Sequence, residues 1–171
     1  MTKRIAIGAD HAGFEDKERI KRQLEKLGVD YEDVGTDSTE PVDYPIYAQK
    51  VAERVASGEA ERGILICGSG NGMQIAANKI QGIRAALAWN EETSKLARQH
   101  NDANVLSVPA RMISPEEAGK VVQSFLETEF EGGRHARRVG EIGDLEKKRN
   151  EKWELNRSKY FFSRNLLSDY D

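Results

Sequence analysis

Gly63-Ile64-Leu65-Ile66-Cys67-Gly68-Ser69-Gly70-Asn71-Gly72-Met73 changes character after its fifth residue. The first five residues form an unbroken apolar run, the pattern of a strand buried on both faces. The next five are a G-x-G-x-G turn, and a short helix is expected from Met73 to Ile80. The same alternation repeats on either side. Arg4 to Ala9, Val29 to Val34, Ile83 to Ala88 and Val105 to Val108 read as strands. Between them, apolar residues recur at helical spacing: Ile20, Leu24 and Leu27 within Phe14–Leu27, and Tyr47, Ala48, Val51, Ala52 and Val55 within Tyr44–Val55. Asn90 can cap a helix over Glu91–Gln99. Ser114-Pro115-Glu116-Glu117 reads as a capping box, ahead of a face formed by Val121, Val122, Phe125 and Leu126. Five strands alternating with helices imply an α/β protein: a three-layer, Rossmann-like five-stranded parallel sheet with helices on both faces. Such sheets bind ligands beyond the carboxyl ends of their strands. The chemistry is therefore expected just after Ala9, Val34, Cys67, Ala88 and Val108.

The 171 residues fit one domain, expected over 1–140, with an extension over 141–171. In the last 31 residues 14 are charged, and five of the chain's 12 aromatics fall there: Trp153, Tyr160, Phe161, Phe162 and Tyr170. This suggests a charged helix followed by an aromatic strap that packs on a partner subunit, because exposing so many rings to water is costly. A net charge of −3 argues against a globally basic nucleic-acid binder, and 38% apolar content leaves no segment long enough for a membrane span. A single cysteine excludes an internal disulfide. Neither a metal nor a cofactor is implied by ligand spacing, and a cytoplasmic location is expected.

Within this frame the scarce residues are informative. The loop Gly68-Ser69-Gly70-Asn71-Gly72 can converge its backbone N–H groups on an anion, either a phosphate or a developing enolate oxygen. It is neither a dinucleotide fingerprint nor a P-loop, since Met73 replaces the third glycine and no Gly-Lys-Ser/Thr follows. Cys67 directly precedes it. Converging amides are expected to lower the thiol pKa and favour a nucleophile or base; burial as a small apolar residue is the alternative. His11 and Asp10 follow the first strand, where Asp10 could hold a sugar hydroxyl or cap the next helix. Arg111 follows the fifth strand. Arg134, Arg137 and Arg138 cluster around His135, and Arg134 and Arg138 would share a helical face suited to phosphate. His100 lies off the expected ligand rim.

Several motifs together resemble ribose-5-phosphate isomerase type B, whose family includes allose-6-phosphate and galactose-6-phosphate isomerases. They are Asp10-His11-Ala12-Gly13-Phe14, Val42-Asp43-Tyr44-Pro45, Gly63-Ile64-Leu65-Ile66-Cys67-Gly68, Ile75-Ala76-Ala77-Asn78-Lys79, His100-Asn101-Asp102-Ala103-Asn104-Val105-Leu106 and Gly132-Gly133-Arg134-His135-Ala136-Arg137-Arg138. The resemblance spans about residues 3–142. It implies a cofactor-free aldose–ketose isomerase with Cys67 as the base, His100 assisting ring opening, and Gly68, Ser69, Gly70, Asn71 and Gly72 stabilising an enediolate. Asp10 and Asn101 would touch the sugar, and His11, Arg111, Arg134 and Arg138 the phosphate. The resemblance also implies a homodimer or tetramer whose sites are shared between subunits. Three departures stand out. Ser69 replaces a common threonine. Met73 stands where a cysteine-free subgroup has a glutamate, which places this chain on the cysteine side. Trp89-Asn90 replaces a Cys-His type pair, so Trp89 either packs or walls the sugar pocket. The alternatives are isomerisation of allose 6-phosphate, galactose 6-phosphate or a tetrose phosphate, and a sugar-phosphate sensor that would need no Cys67–His100 pair.

Overall fold

The structure is a computed structural model that describes residues 4–165, with side chains through Leu155. The chain forms two compact units, one through Gly132 and one from Gly133. In the first unit the elements alternate as β1 (Ile5–Ala9), α1 (Phe14–Lys26), β2 (Tyr31–Asp33), α2 (Tyr44–Ala56), β3 (Arg62–Cys67), α3 (Asn71–Ala77), β4 (Ala85–Leu87), α4 (Glu91–Asn101), β5 (Val105–Pro109) and α5 (Pro115–Glu127). All five strands are parallel, in the order β2-β1-β3-β5-β4. The three central strands are buried along their whole length, as unbroken apolar runs require.

Right-handed crossovers determine which helix covers which face. Connections toward β4 place α2 and α3 on one face. Connections running the other way place α1 and α4 on the opposite face, and α5, which follows the last strand, packs beside them there. The core follows this division with the strand period of two. Ile64 and Ile66 pack with Ile20, Leu24, Ala97, Val121 and Phe125, whereas Leu65 and Cys67 pack with Ala48, Val51, Ala52, Met73 and Ala77. Val51 sets how closely α2 approaches the sheet. A Cβ on Gly8 would stand 2.7 Å from its Cγ2, and one on Gly63 2.6 Å from its Cγ1. A larger residue on either strand would lift the helix away.

Several expected details shift. Leu27 is not part of the α1 stripe: it is the C-cap and is 46% exposed. The stripe runs instead through Lys17, Ile20 and Leu24, all buried. The Lys17 ammonium bonds the carboxylate of Asp33, and that of Glu18 at 3.0 Å. Lys21 joins the same two carboxylates at 2.9 and 2.8 Å, closing a charge cluster that ties α1 to the end of β2. At α5 the Ser114 hydroxyl accepts from the Glu117 N–H at 3.2 Å. The fully reciprocal box forms at α4, where the Asn90 side-chain oxygen Oδ1 accepts from the Thr93 N–H and the Thr93 hydroxyl accepts from the Asn90 N–H.

The second unit holds one helix, α6 (Arg134–Asn165). It begins at the arginine cluster and carries Trp153, Tyr160, Phe161 and Phe162 within helical backbone, where the sequence reading expects a strap; Tyr170 lies outside the described residues. Arg137 pairs with Glu141 one turn on, at 2.7 Å. Ile142, Leu145 and Trp153 are exposed. Among the described residues no helix is long and apolar enough to cross a membrane.

Candidate active site

The β3–α3 loop is fixed at the carboxyl edge of the sheet by its neighbour, the β5–α5 loop. The Ala110 N–H donates to Cys67 O at 2.9 Å and the Arg111 N–H to Gly68 O at 3.0 Å. The buried Ser107 hydroxyl donates to Gly70 O at 2.7 Å. Gly70 adopts φ +76°, a conformation that favours glycine, and it lets the chain turn from the strand into α3. The Tyr44 ring occupies the space a side chain on Gly72 would need, its Cζ 2.6 Å from where a Cβ would stand. The Arg111 side chain lies across Gly68, its Nη1 3.5 Å from the equivalent position there.

Cys67 ends β3 beneath this loop and is 5% exposed. Burial pushes its thiol above the ordinary value; the N–H groups of Met73, Gly70 and Ser69 pull it down, and the charge of Asp10 pushes it up. The net direction is upward, which corrects the expectation of a lowered thiol. Three amides do converge on the sulfur, but desolvation of a thiolate in the α2/α3 core outweighs them.

Asp10 and His11 occupy the adjacent β1–α1 turn. One oxygen of Asp10 accepts from the Ala12 and Gly13 N–H groups at 2.9 and 3.1 Å, so this carboxylate shapes the turn. Gly13 is required there, because a Cβ would stand 2.5 Å from the carbonyl carbon of Ile66. His11 Nδ1 accepts from the Val42 N–H at 3.2 Å. The neutral imidazole therefore carries its proton on Nε2 and can donate it. His11 and Arg111 line a polar cleft of about 350 Å³ together with Glu15, Asp16 and Arg19. An anion entering this cleft meets the guanidinium groups of Arg19 and Arg111 as well as the carboxylates of Glu15 and Asp16.

The remaining candidates lie elsewhere. α4 starts past the carboxyl end of β4 and returns to the amino edge, where the Gly63 N–H bonds Asn104 O. His100 and Asn101, in its last turn, are therefore at the opposite edge of the sheet from Cys67. His100 Nε2 is 4.0 Å from the Glu131 carboxylate. Arg134 and Arg138 belong to α6 and the second unit. Trp89 follows β4 and is 52% exposed, so within this chain it is not a packed core residue.

The sequence profile described as Ribose/Galactose Isomerase matches residues 5–142. The chain belongs to the ribose/galactose isomerase family. It is 48% identical over 148 residues to ribose-5-phosphate isomerase B of Escherichia coli, covering 86% of this chain and 99% of that one. Its fold is similar to the Clostridium thermocellum ribose-5-phosphate isomerase B structure, with a TM-score of 0.84 and 50% identity over 85% of this chain and 98% of that one. It is also similar to ribose-5-phosphate isomerase B of Mycoplasma genitalium, a structure with bound ribulose 5-phosphate. There the TM-score is 0.82 and the identity 42%, over 86% of this chain and 98% of that one. The family match ends inside α6, so the distal part of this helix lies beyond it.

For this isomerase the structure adds residues that the sequence reading did not single out. Tyr44 backs the glycine loop, and the only hint was its place in Val42-Asp43-Tyr44-Pro45. Asp16 and Arg19 pair at 3.1 Å at the cleft. Their i, i+3 spacing was visible, but nothing in it placed them beside Arg111.

Proposed function

We propose that this isomerase interconverts ribose 5-phosphate and ribulose 5-phosphate through an enediolate, with Cys67 as the base. The observation that carries the reading is the Cys67 thiol beneath converging amides, beside a cleft lined by His11 and Arg111. Once the sugar ring is open, the Cys67 thiolate takes the proton from C2. The C–H electron pair becomes the C1–C2 double bond, and the carbonyl oxygen on C1 becomes an enediolate oxygen. A proton then passes between the two oxygens, and the Cys67 S–H returns its proton to C1. The backbone N–H groups of Gly68 to Gly72 and the Ser69 hydroxyl face the developing charge, where fixed donors act most strongly. The His11 Nε2–H and Arg111, joined by Arg134 and Arg138, hold the phosphate, which orients the reacting carbons.

His100 would assist ring opening, with Asp10 and Asn101 contacting the hydroxyls. β5 alone spans about 16 Å at roughly 3.3 Å per residue, so His100 and Cys67 of one chain cannot meet across the sheet. The reading therefore requires a homodimer in which the amino edge of one subunit faces the carboxyl edge of the other. Residues 141–171 form an extension beyond the isomerase domain that packs on a partner subunit; exposed Ile142, Leu145 and Trp153 support this. The exposure of Trp89 keeps a longer sugar phosphate, such as allose 6-phosphate, as the second reading.

The test is kcat/KM of the wild type and of Cys67→Ala on ribose 5-phosphate and allose 6-phosphate, with chelator present. We expect preference for the pentose and loss of turnover in the variant, with inorganic phosphate still binding. Turnover retained by Cys67→Ala would remove the thiolate base.

A further inference from the structure

We infer that Asp102, clamped between Arg84 and Arg98, is a positioning residue that aims the His100–Asn101 step at the sugar. The inference rests on the ring-opening role proposed for His100. Asp102 is the C-cap of α4 and has φ +46°; among the described residues no other non-glycine has a positive φ. This left-handed residue ends the helix directly after His100 and Asn101, so its geometry determines where the last turn points. Each of its carboxylate oxygens has an arginine: Oδ2 pairs with Arg84 Nη2 and Oδ1 with Arg98 Nη1, both at 2.9 Å. The arginines also grip the backbone. Arg84 Nε donates to Asp102 O at 2.9 Å and to Asn101 O at 3.2 Å, and Arg98 Nη1 donates to Ala103 O at 2.6 Å.

The clamp is anchored in rigid structure at both ends. Arg98 is buried, lies 5.8 Å from the centre of the Phe125 ring, and reaches Thr128 O at 3.2 Å. The Arg84 N–H donates to the Asn104 side chain at 2.8 Å, so it is held at the entrance to β4 and β5. A turn that needed only to end a helix would be served by glycine or asparagine in the left-handed position. Two buried or half-buried arginines converging on one carboxylate do more: they fix the orientation of the helix end that carries His100. A group acting across a subunit boundary gains from this, because small misplacements of reacting groups are costly.

Two assays separate the step His100 serves from the step Cys67 serves. Turnover of ribose 5-phosphate requires ring opening. Exchange of deuterium from solvent into C1 of ribulose 5-phosphate requires only the base and the anion hole, because this ketose has no closed ring to open. Asp102→Gly keeps the left-handed backbone and removes both ion pairs. It is expected to lower kcat on ribose 5-phosphate by about tenfold to a hundredfold while C1 exchange stays near wild type. Asp102→Asn is read in the same way if the glycine variant does not fold. His100→Asn is the reference and should show the same split. Unchanged turnover in the Asp102 variants, or equal loss of turnover and exchange, overturns the positioning role while a split in His100→Asn leaves the ring-opening reading intact. No split in His100→Asn overturns the ring-opening reading and this inference with it.

Discussion

Gly70→Ala puts the construction of the glycine loop to a stringent test. Gly70 has φ +76°, and a Cβ there would lie well inside contact distance of a Leu87 Cδ1 methyl, with Pro109 N and Ser107 Oγ each at 3.4 Å. The left-handed backbone costs an alanine about 1–2 kcal/mol. Overpacking against Leu87 adds about 1–3 kcal/mol. Together they predict a loss of about 2–5 kcal/mol of unfolding free energy. The two parts separate in a double-mutant cycle with Leu87→Ala. Removing the methyl relieves the clash but not the backbone strain, so the pair should be coupled by about 1–3 kcal/mol. The assay is urea unfolding at one fixed protein concentration, so that association contributes equally to every variant. Turnover should fall as well, because relieving the clash shifts the residue-70 N–H, one of the amides directed at Cys67. A loss below about 1 kcal/mol in Gly70→Ala would show that the turn relaxes freely, against the strain expected at this φ. Strict additivity of the two substitutions would refute the packing argument.

Two further predictions concern titration. Burial holds the Cys67 thiol above its ordinary value, so its alkylation rate should keep rising with pH beyond about 8.5, where a free thiol is half ionised. An inflection below that pH would show that the amides outweigh desolvation. Burial alone would raise the Asp33 carboxyl, but the bonds from Lys17, Lys21 and the Gly35 N–H hold it below the usual carboxylate range. A depressed carboxyl contributes stability that is complete above its unfolded pKa of about 3.9 and is lost as pH falls through the folded value. Asp16 acts with the opposite sign, since burial raises it. Asp33→Asn leaves the buried Lys17 ammonium without its closest partner. It should cost about 3–5 kcal/mol at neutral pH and flatten the acid limb of stability below about pH 4. An unchanged acid limb in urea titrations across that range would remove Asp33 from the cause.

The helical stripe of α1 shows where sequence pattern succeeds and where it falls short. Ile20 and Leu24 are core because they share a face. Lys17 is on that face too, yet an apolar pattern passes over it, since its burial depends on Asp33 arriving from β2. The Cys67 thiol shows the same limit. The amides that follow it are written in the glycine spacing, but the desolvation that outweighs them comes from α2 and α3 packing over the strand. The turn at Asp102 is a third instance. His100-Asn101-Asp102-Ala103-Asn104 is legible as a motif, while the arginines that grip it come from positions 84 and 98.

The sequence by itself determined the element order, the parallel class of the sheet, and the loops at the carboxyl ends of β1, β3 and β5. These follow from local periodicity and from glycines whose conformational freedom is a property of one residue. Only the tertiary structure decided the strand order β2-β1-β3-β5-β4 and the division of helices between faces. Those depend on which distant segments meet, and no local period encodes that.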